Sequence, residues 1–173
     1  TNYIICGAAM GTSRVFEWAA NRADVQFRGA DYTHNVPVVA QIDNFVSINS
    51  TLEVDLTGQA NSETVGGRQI SGTGGLVDFV RGARMAKNGR SILALSATAA
   101  KGTISRIVPA LGSGAVVSCP RADIDFVVTE YGAARLKDKS IDERAEALIA
   151  IAAPNFQAEL TRAWREQRRQ IGG

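Results

Sequence analysis

The stretch with the most chemical potential is Ile70-Ser71-Gly72-Thr73-Gly74-Gly75-Leu76-Val77-Asp78-Phe79-Val80-Arg81-Gly82-Ala83. Three glycines within four residues let the backbone turn tightly and bring its N–H groups close to a ligand, and an amphipathic helix pattern begins directly after them. Gly72, Gly74 and Gly75 are therefore candidate binding residues for a small anionic or acyl group. Glycines before a helix are also plain turn chemistry, and the run alone does not separate the two readings. Glu53 and Asp55 form a second candidate pair, because they alternate with Leu52, Val54 and Leu56 and fall on one side of a period-two strand. Carboxylates so placed do acid–base work or simply face water. His34 is the only histidine and lies in the loop Asp31-Tyr32-Thr33-His34-Asn35. No triad or metal-ligand signature surrounds it, so it reads as a structural residue and no metal is expected.

These groups need a frame. Tyr3 to Cys6 and Val25 to Arg28 read as short strands around a helix that starts near Thr12 or Ser13 and buries Val15, Phe16, Ala19, Ala20 and Ala23. Asn35 caps a short helix with Pro37 in its first turn, running to about Ile42. Phe45 to Asn49 is strand-like. The helix after the glycine run spans about Gly75 to Ala86 and stops at Asn88-Gly89. Ser91 to Leu95 then reads as a strand covered on both faces, with a polar loop from Ser96 to Gly102 at its carboxyl end. In open α/β sheets ligands bind outside the carboxyl ends of the strands, so this loop and the glycine loop are candidates for two walls of one site. Ile104 to Val108 and Ala115 to Ser118 read as a strand pair, and Ile124 to Thr129 as a further strand ending in Glu130-Tyr131-Gly132. Ser140 and Glu143 make a capping box for a helix with Ala145, Leu148, Ile149 and Ala152 inside. Pro154 starts the last helix, which docks through Phe156, Leu160, Ala163 and Trp164, and residues 168–173 read as a frayed tail.

With 173 residues, 45% hydrophobic and few aromatic, the chain suits a single α/β domain packed helix on sheet. A net charge of +2 is too small for a nucleic-acid surface, and Arg162, Arg165, Arg168 and Arg169 share their helix with Glu159 and Glu166. No run approaches the roughly 18 apolar residues of a membrane span. Cys6 and Cys119 are far apart in apolar settings and read as reduced, buried residues, which makes the cytoplasm the expected location. The chain opens on a strand with no preamble, as a piece cut from a larger α/β protein would and as a compact native start would too.

Several segments together resemble a known family. They are Asn49-Ser50-Thr51-Leu52-Glu53-Val54-Asp55-Leu56-Thr57-Gly58-Gln59, the run from Ser71 to Ala83, Ser105-Arg106-Ile107-Val108-Pro109, Val127-Val128-Thr129-Glu130-Tyr131-Gly132, and Glu143-Arg144-Ala145. In this order and spacing they are similar to the C-terminal domain of the acetyl-CoA hydrolase/transferase family, which includes 4-hydroxybutyrate and succinyl-CoA:acetate CoA-transferases.

The resemblance implies a three-layer α/β/α, CoA-transferase-like fold with a mostly parallel sheet, residues 1–173 forming the C-terminal domain of a longer two-domain, homo-oligomeric enzyme. It implies coenzyme A, as acyl-CoA, and a small carboxylic acid as substrates, exchanged through a glutamyl-CoA thioester. The nucleophilic glutamate of the family lies in a motif upstream of this chain, so no catalytic residue is expected within it. Hydrolysis of acetyl-CoA, or a stand-alone CoA-binding module, are the alternative readings. By position Gly72, Gly74 and Gly75 match the loop that holds the thioester carbonyl, and Ser96 sits where a second CoA-contacting loop is expected; Glu130 is expected to fix a loop. Two departures stand out. Leu76 replaces a common Gln, which bears on a polar contact near the acyl group, and Ala153-Pro154-Asn155-Phe156 replaces His-Pro-Asp-Phe.

Overall fold

The computed structural model describes residues 3–171. The chain opens with a β-α-β unit, β1 (Ile4–Cys6), α1 (Ser13–Ala20) and β2 (Val25–Phe27), whose strands run parallel. Two single-turn helices follow. In α2 (Ala30–Thr33) the predicted loop has coiled into a helical turn with His34 as its C-cap, and in α3 (Val36–Val39) the Asn35 side chain accepts from the Val38 N–H. Next come β3 (Val46–Ser50), β4 (Glu53–Asp55), β5 (Ala60–Asn61), β6 (Thr64–Val65), β7 (Arg68–Gln69) and α4 (Leu76–Met85). The second half holds β8 (Arg90–Ala94), β9 (Thr98–Ala99), β10 (Ile104–Ser105), β11 (Ile107–Val108), β12 (Phe126–Thr129), β13 (Gly132–Arg135), α5 (Ile141–Ala150) and α6 (Pro154–Ile171). The Ser140–Glu143 capping box forms as expected, and α6 runs on through Arg168–Ile171, so those residues are helix and not a frayed tail. Residues 172 and 173 of the predicted tail lie outside the described residues.

The main sheet has the order β13-β12-β8-β3, with β3, β8 and β12 parallel and β13 returning antiparallel. A second sheet, β11-β4-β5, pairs β11 parallel and β5 antiparallel to its central strand. Among the described residues, four strand pairings are parallel and four antiparallel, so parallel character belongs to the main sheet and not to the whole. Ala115–Ser118, expected as a strand, is irregular; an isolated bridge joins the next residue, Cys119, to Ala60, and β11 pairs with β4 instead.

One continuous core joins both sheets to the helices. Leu93, Val127 and Ala134 of the main sheet pack with Val80 of α4, Ala145 and Leu148 of α5, and Leu160 and Trp164 of α6. Full burial of a side chain such as Leu93 or Leu148 contributes roughly 1.5–3 kcal/mol. At Gly82 the approach of α3 is so close that a Cβ would sit 2.4 Å from a Val39 methyl, which explains glycine in mid-helix despite its poor propensity.

The opposite face of the main sheet has no covering layer among the described residues. Ile48 is 69% exposed, Val46 is also exposed, and Ile92, Phe126 and Val128 line a shallow cavity of about 780 Å³. The three-layer expectation is therefore met by only two layers within this chain. The same holds for α1: the helix forms where its apolar spacing predicted, yet none of its residues is buried, with Phe16 52% and Trp18 49% exposed.

Candidate functional site

The glycine loop begins at a hairpin. Gly66 and Gly67, both at positive φ (57° and 75°), form the tight turn between β6 and β7. The chain then folds back on Glu63, whose carbonyl accepts from the N–H groups of Ile70 at 2.8 Å and Ser71 at 3.2 Å. The Gln69 amide donates to the Ser71 carbonyl and, at 3.2 Å, to Glu63 Oε1. Beneath this prop lies Asn61, fully buried. Its Oδ1 accepts from the N–H groups of Glu63 and Thr64 at 3.0 Å and from Thr64 Oγ1 at 3.1 Å, while its Nδ2 donates to Glu53 Oε1 at 2.9 Å and the Thr64 carbonyl at 2.8 Å. Every hydrogen-bonding site on this amide is used, so the base of the loop is rigid.

Above that base the loop is open. Among the described residues, the N–H groups of Gly72, Thr73, Gly74 and Gly75 have no acceptor, and they stand at the N-terminus of α4. The three glycines differ in what demands them. Gly74 has φ +52°, a left-handed conformation, and a Cβ there would meet nothing within 4 Å. Gly72 has neither a positive φ nor a neighbour, so nothing in this chain demands glycine. Gly75 is crowded: a Cβ would lie 2.3 Å from His34 Cδ2 and 2.8 Å from Phe79 Cε2. Leu76, the departure from the common Gln, is 5% exposed and belongs to the core, which removes it from any polar contact with a ligand.

The second wall follows from topology. α4 leads through a short turn into the start of β8 and runs back along it, so its N-terminus lies at the sheet edge where parallel β3, β8 and β12 end. Ser96 leaves β8 at that edge, exposed. Glu130, at the end of β12, accepts from the Ala97 N–H at 2.8 Å through Oε2 and so fixes the loop after Ser96.

The carboxylate pair has a different fate. Asp55 is 2% exposed, because β4 is the central strand of its sheet and is buried on both faces. Its Oδ1 accepts from Thr57 N–H (2.9 Å), Thr57 Oγ1 (2.7 Å) and Gln59 N–H (3.1 Å), and its Oδ2 from Gln59 Nε2 (2.8 Å), which makes it a turn-builder. Glu53 is tied to Asn61. The expected wet face with acid–base potential does not exist. Both cysteines are free thiols; burial first, and the Asp123 charge next, push Cys119 up to about 12. Cys6 is only half-buried, less than its strand context predicted.

Residues that prop the loop escaped sequence reasoning. Gln69 and Glu63 carried one signal, their closeness in sequence to the glycines; His34 carried none, since nothing local ties it to Gly75. No helix among the described residues is long and apolar enough to cross a membrane.

Likeness to solved structures places the chain among CoA-transferase-like folds. RipA from Yersinia pestis superposes with a TM-score of 0.90 at 44% identity, covering 96% of this chain and 37% of that one. A 4-hydroxybutyrate CoA-transferase from Porphyromonas gingivalis superposes with a TM-score of 0.81 at 39% identity, over 95% and 38%. In sequence, the 4-hydroxybutyrate coenzyme A transferase of Clostridium kluyveri is 46% identical over 164 residues, 95% of this chain and 38% of the relative. The chain belongs to the acetyl-CoA hydrolase/transferase C-terminal domain family, which matches residues 11–164. It thus spans well under half the length of these relatives.

Proposed function

We propose that this chain is the CoA-binding half of an acyl-CoA:carboxylate CoA-transferase, working with an N-terminal domain that supplies the nucleophilic glutamate. The observation that carries the reading is the row of four N–H groups at residues 72–75 that find no acceptor among the described residues and stand at a helix N-terminus. Such donors stabilise charge that develops on a carbonyl oxygen, each contributing about 3 kcal/mol in a water-excluded site. Asp78 in the first turn of α4 favours a neutral carbonyl with transient charge over a permanent phosphate dianion, because it already offsets the helix dipole. The open main-sheet face and the uncovered side of α1 are surfaces on which the missing domain would pack. The two free thiols agree with a cytoplasmic setting.

In the proposed cycle, the glutamate carboxylate attacks the thioester carbonyl carbon, the C–S bond breaks, and CoA leaves as thiolate from an acyl-glutamyl anhydride. The loop N–H groups hold the oxyanion of that step. The thiolate then attacks the glutamyl carbonyl, releasing the first carboxylate and forming glutamyl-CoA. An acceptor carboxylate reverses both steps and regenerates the free glutamate. The Ser96 hydroxyl is the proposed contact to CoA on the facing loop. Water in place of the acceptor would make the enzyme a hydrolase, a reading kept open by the family's mixed membership.

The test is to treat the full-length protein with acyl-CoA and borohydride and map the product by peptide mass. Reduction of one glutamate outside this chain, with CoA exchange into an added carboxylate, supports the transferase. Reduction with hydrolysis alone supports the hydrolase, and neither adduct nor exchange overturns both.

A further inference from the structure

The imidazole of His34 lies directly over the glycine loop. A Cβ on Gly75 would be 2.3 Å from His34 Cδ2 and 2.4 Å from Nε2, far inside the ordinary contact range that starts at 3.4 Å. Two partners hold the ring there. Its centroid is 4.9 Å from that of Phe79 at an interplanar angle of 51°, and Nδ1 is 2.9 Å from Thr33 Oγ1. The Thr33 hydroxyl also lies 3.2 Å from the Gly29 carbonyl, which anchors it to the turn that carries the ring.

We propose that His34 is a positioning residue for the glycine loop, setting the peptide planes of Gly74 and Gly75 and hence the direction of their N–H groups. The inference rests on the reading of this loop as a carbonyl-binding site. Two adjacent glycines have the widest backbone freedom of any dipeptide, and oxyanion donors work only when they are aligned beforehand. Asn61, Glu63 and Gln69 restrain the loop from below, up to Ser71. From the other side the three atoms nearest a Gly75 Cβ belong to the side chains of His34 and Phe79, and His34 is the closer. It does for the end of the loop what the glutamate carbonyl does for its start.

The test is a set of variants of the full-length enzyme, each checked for its melting temperature. His34→Ala is expected to lower kcat about 5- to 30-fold, the factor that corresponds to one backbone residue left free, with KM for acyl-CoA within about twofold. His34→Phe keeps a ring over Gly75 and loses the Thr33 bond; it should retain most of kcat. His34→Asn keeps the bond and loses the ring; it should behave as His34→Ala. Gly75→Ala should lower kcat, and adding His34→Ala to it should recover part of kcat, because the closer contact, with the ring, is relieved while that with Phe79 at 2.8 Å remains. Unchanged kcat in His34→Ala, loss in His34→Phe equal to that in His34→Ala, or additive losses in the double variant would each overturn the proposal. Gly72→Ala, which leaves the ring untouched, separates the two levels. If it too leaves kcat unchanged, the carbonyl-binding reading itself is wrong; if it cuts kcat while His34→Ala does not, only the role of His34 falls.

Discussion

Replacing Gly72 with alanine in the full-length protein is expected to cut turnover without weakening the fold. Gly72 lies outside the left-handed region, and a Cβ there would meet nothing within 4 Å. The methyl group strains neither backbone nor packing, and by restricting the unfolded chain it adds roughly 0.4–1 kcal/mol of stability. Gly74→Ala is the matched control. Its Cβ is equally unobstructed, but φ is +52°, and a left-handed alanine costs about 1–2 kcal/mol. Even the larger figure leaves a protein of about 5 kcal/mol stability roughly 99% folded, so unfolding cannot account for a large loss of activity. Pushing the thioester carbonyl off one N–H donor, by contrast, costs about 3 kcal/mol, or 10²–10³ in kcat. CoA-exchange kinetics and thermal unfolding, measured side by side, decide the matter. Both variants should lose about 10²-fold in kcat, while Gly72→Ala melts no lower than the parent and Gly74→Ala melts lower. Full turnover in Gly72→Ala, or activity that follows melting temperature across the pair, would refute the carbonyl-binding role.

Two further outcomes concern the scaffold. Asn61→Ala should destabilise the protein by about 3 kcal/mol or more in urea unfolding, since it strands the buried N–H groups of Glu63 and Thr64 and each orphan costs about 1–3 kcal/mol; a loss below about 1 kcal/mol would show that water replaces the amide. At the start of α5, the hydrogen bonds from the Ser140 backbone N–H and hydroxyl, then Lys139, hold Glu143 well below the usual carboxylate range, at about 2. A depressed carboxylate stabilises the fold above its ordinary pKa, and that contribution fades as pH falls from about 4.5 toward about 2. Melting temperatures of Glu143→Gln and parent should therefore differ at pH 7 and converge near pH 2, and a constant gap across that window would contradict the assignment.

How much of this was readable beforehand depended on whether the deciding physics is local. Caps are local, and Asn35 and Ser140 with Glu143 each mark a helix start found in the structure, while Asn88-Gly89 turns the chain just past the C-cap Ala86 of α4. Pairing is not. Val116 and Val117 look like strand residues but find no partner, whereas the short hairpin strand Gly132–Arg135 carries too weak an apolar pattern to announce itself. The burial of Asp55 depends on β4 being the central strand, which alternation alone does not reveal. In α1 the apolar spacing predicts the helix itself but not what covers it, and none of its residues is buried. At the site, the glycine loop and the Ser96 loop were visible as motifs. The props were not, because the bond from Glu130 to Ala97 and the contact of His34 with Gly75 join residues far apart in sequence.

The β-α-β opening also bears on how this protein is cut and recombined. The family's domain match begins at residue 11, yet β1, at Ile4–Cys6, is hydrogen-bonded along its length to β2 at Val25–Phe27, and relatives align over up to 98% of the chain. The domain as the family defines it is thus narrower than the block that holds together mechanically. A chimera spliced at the family's domain border would leave β2 with a bare edge and α1 with no strand to lead into it, and protease mapping should find its resistant boundary upstream of that border.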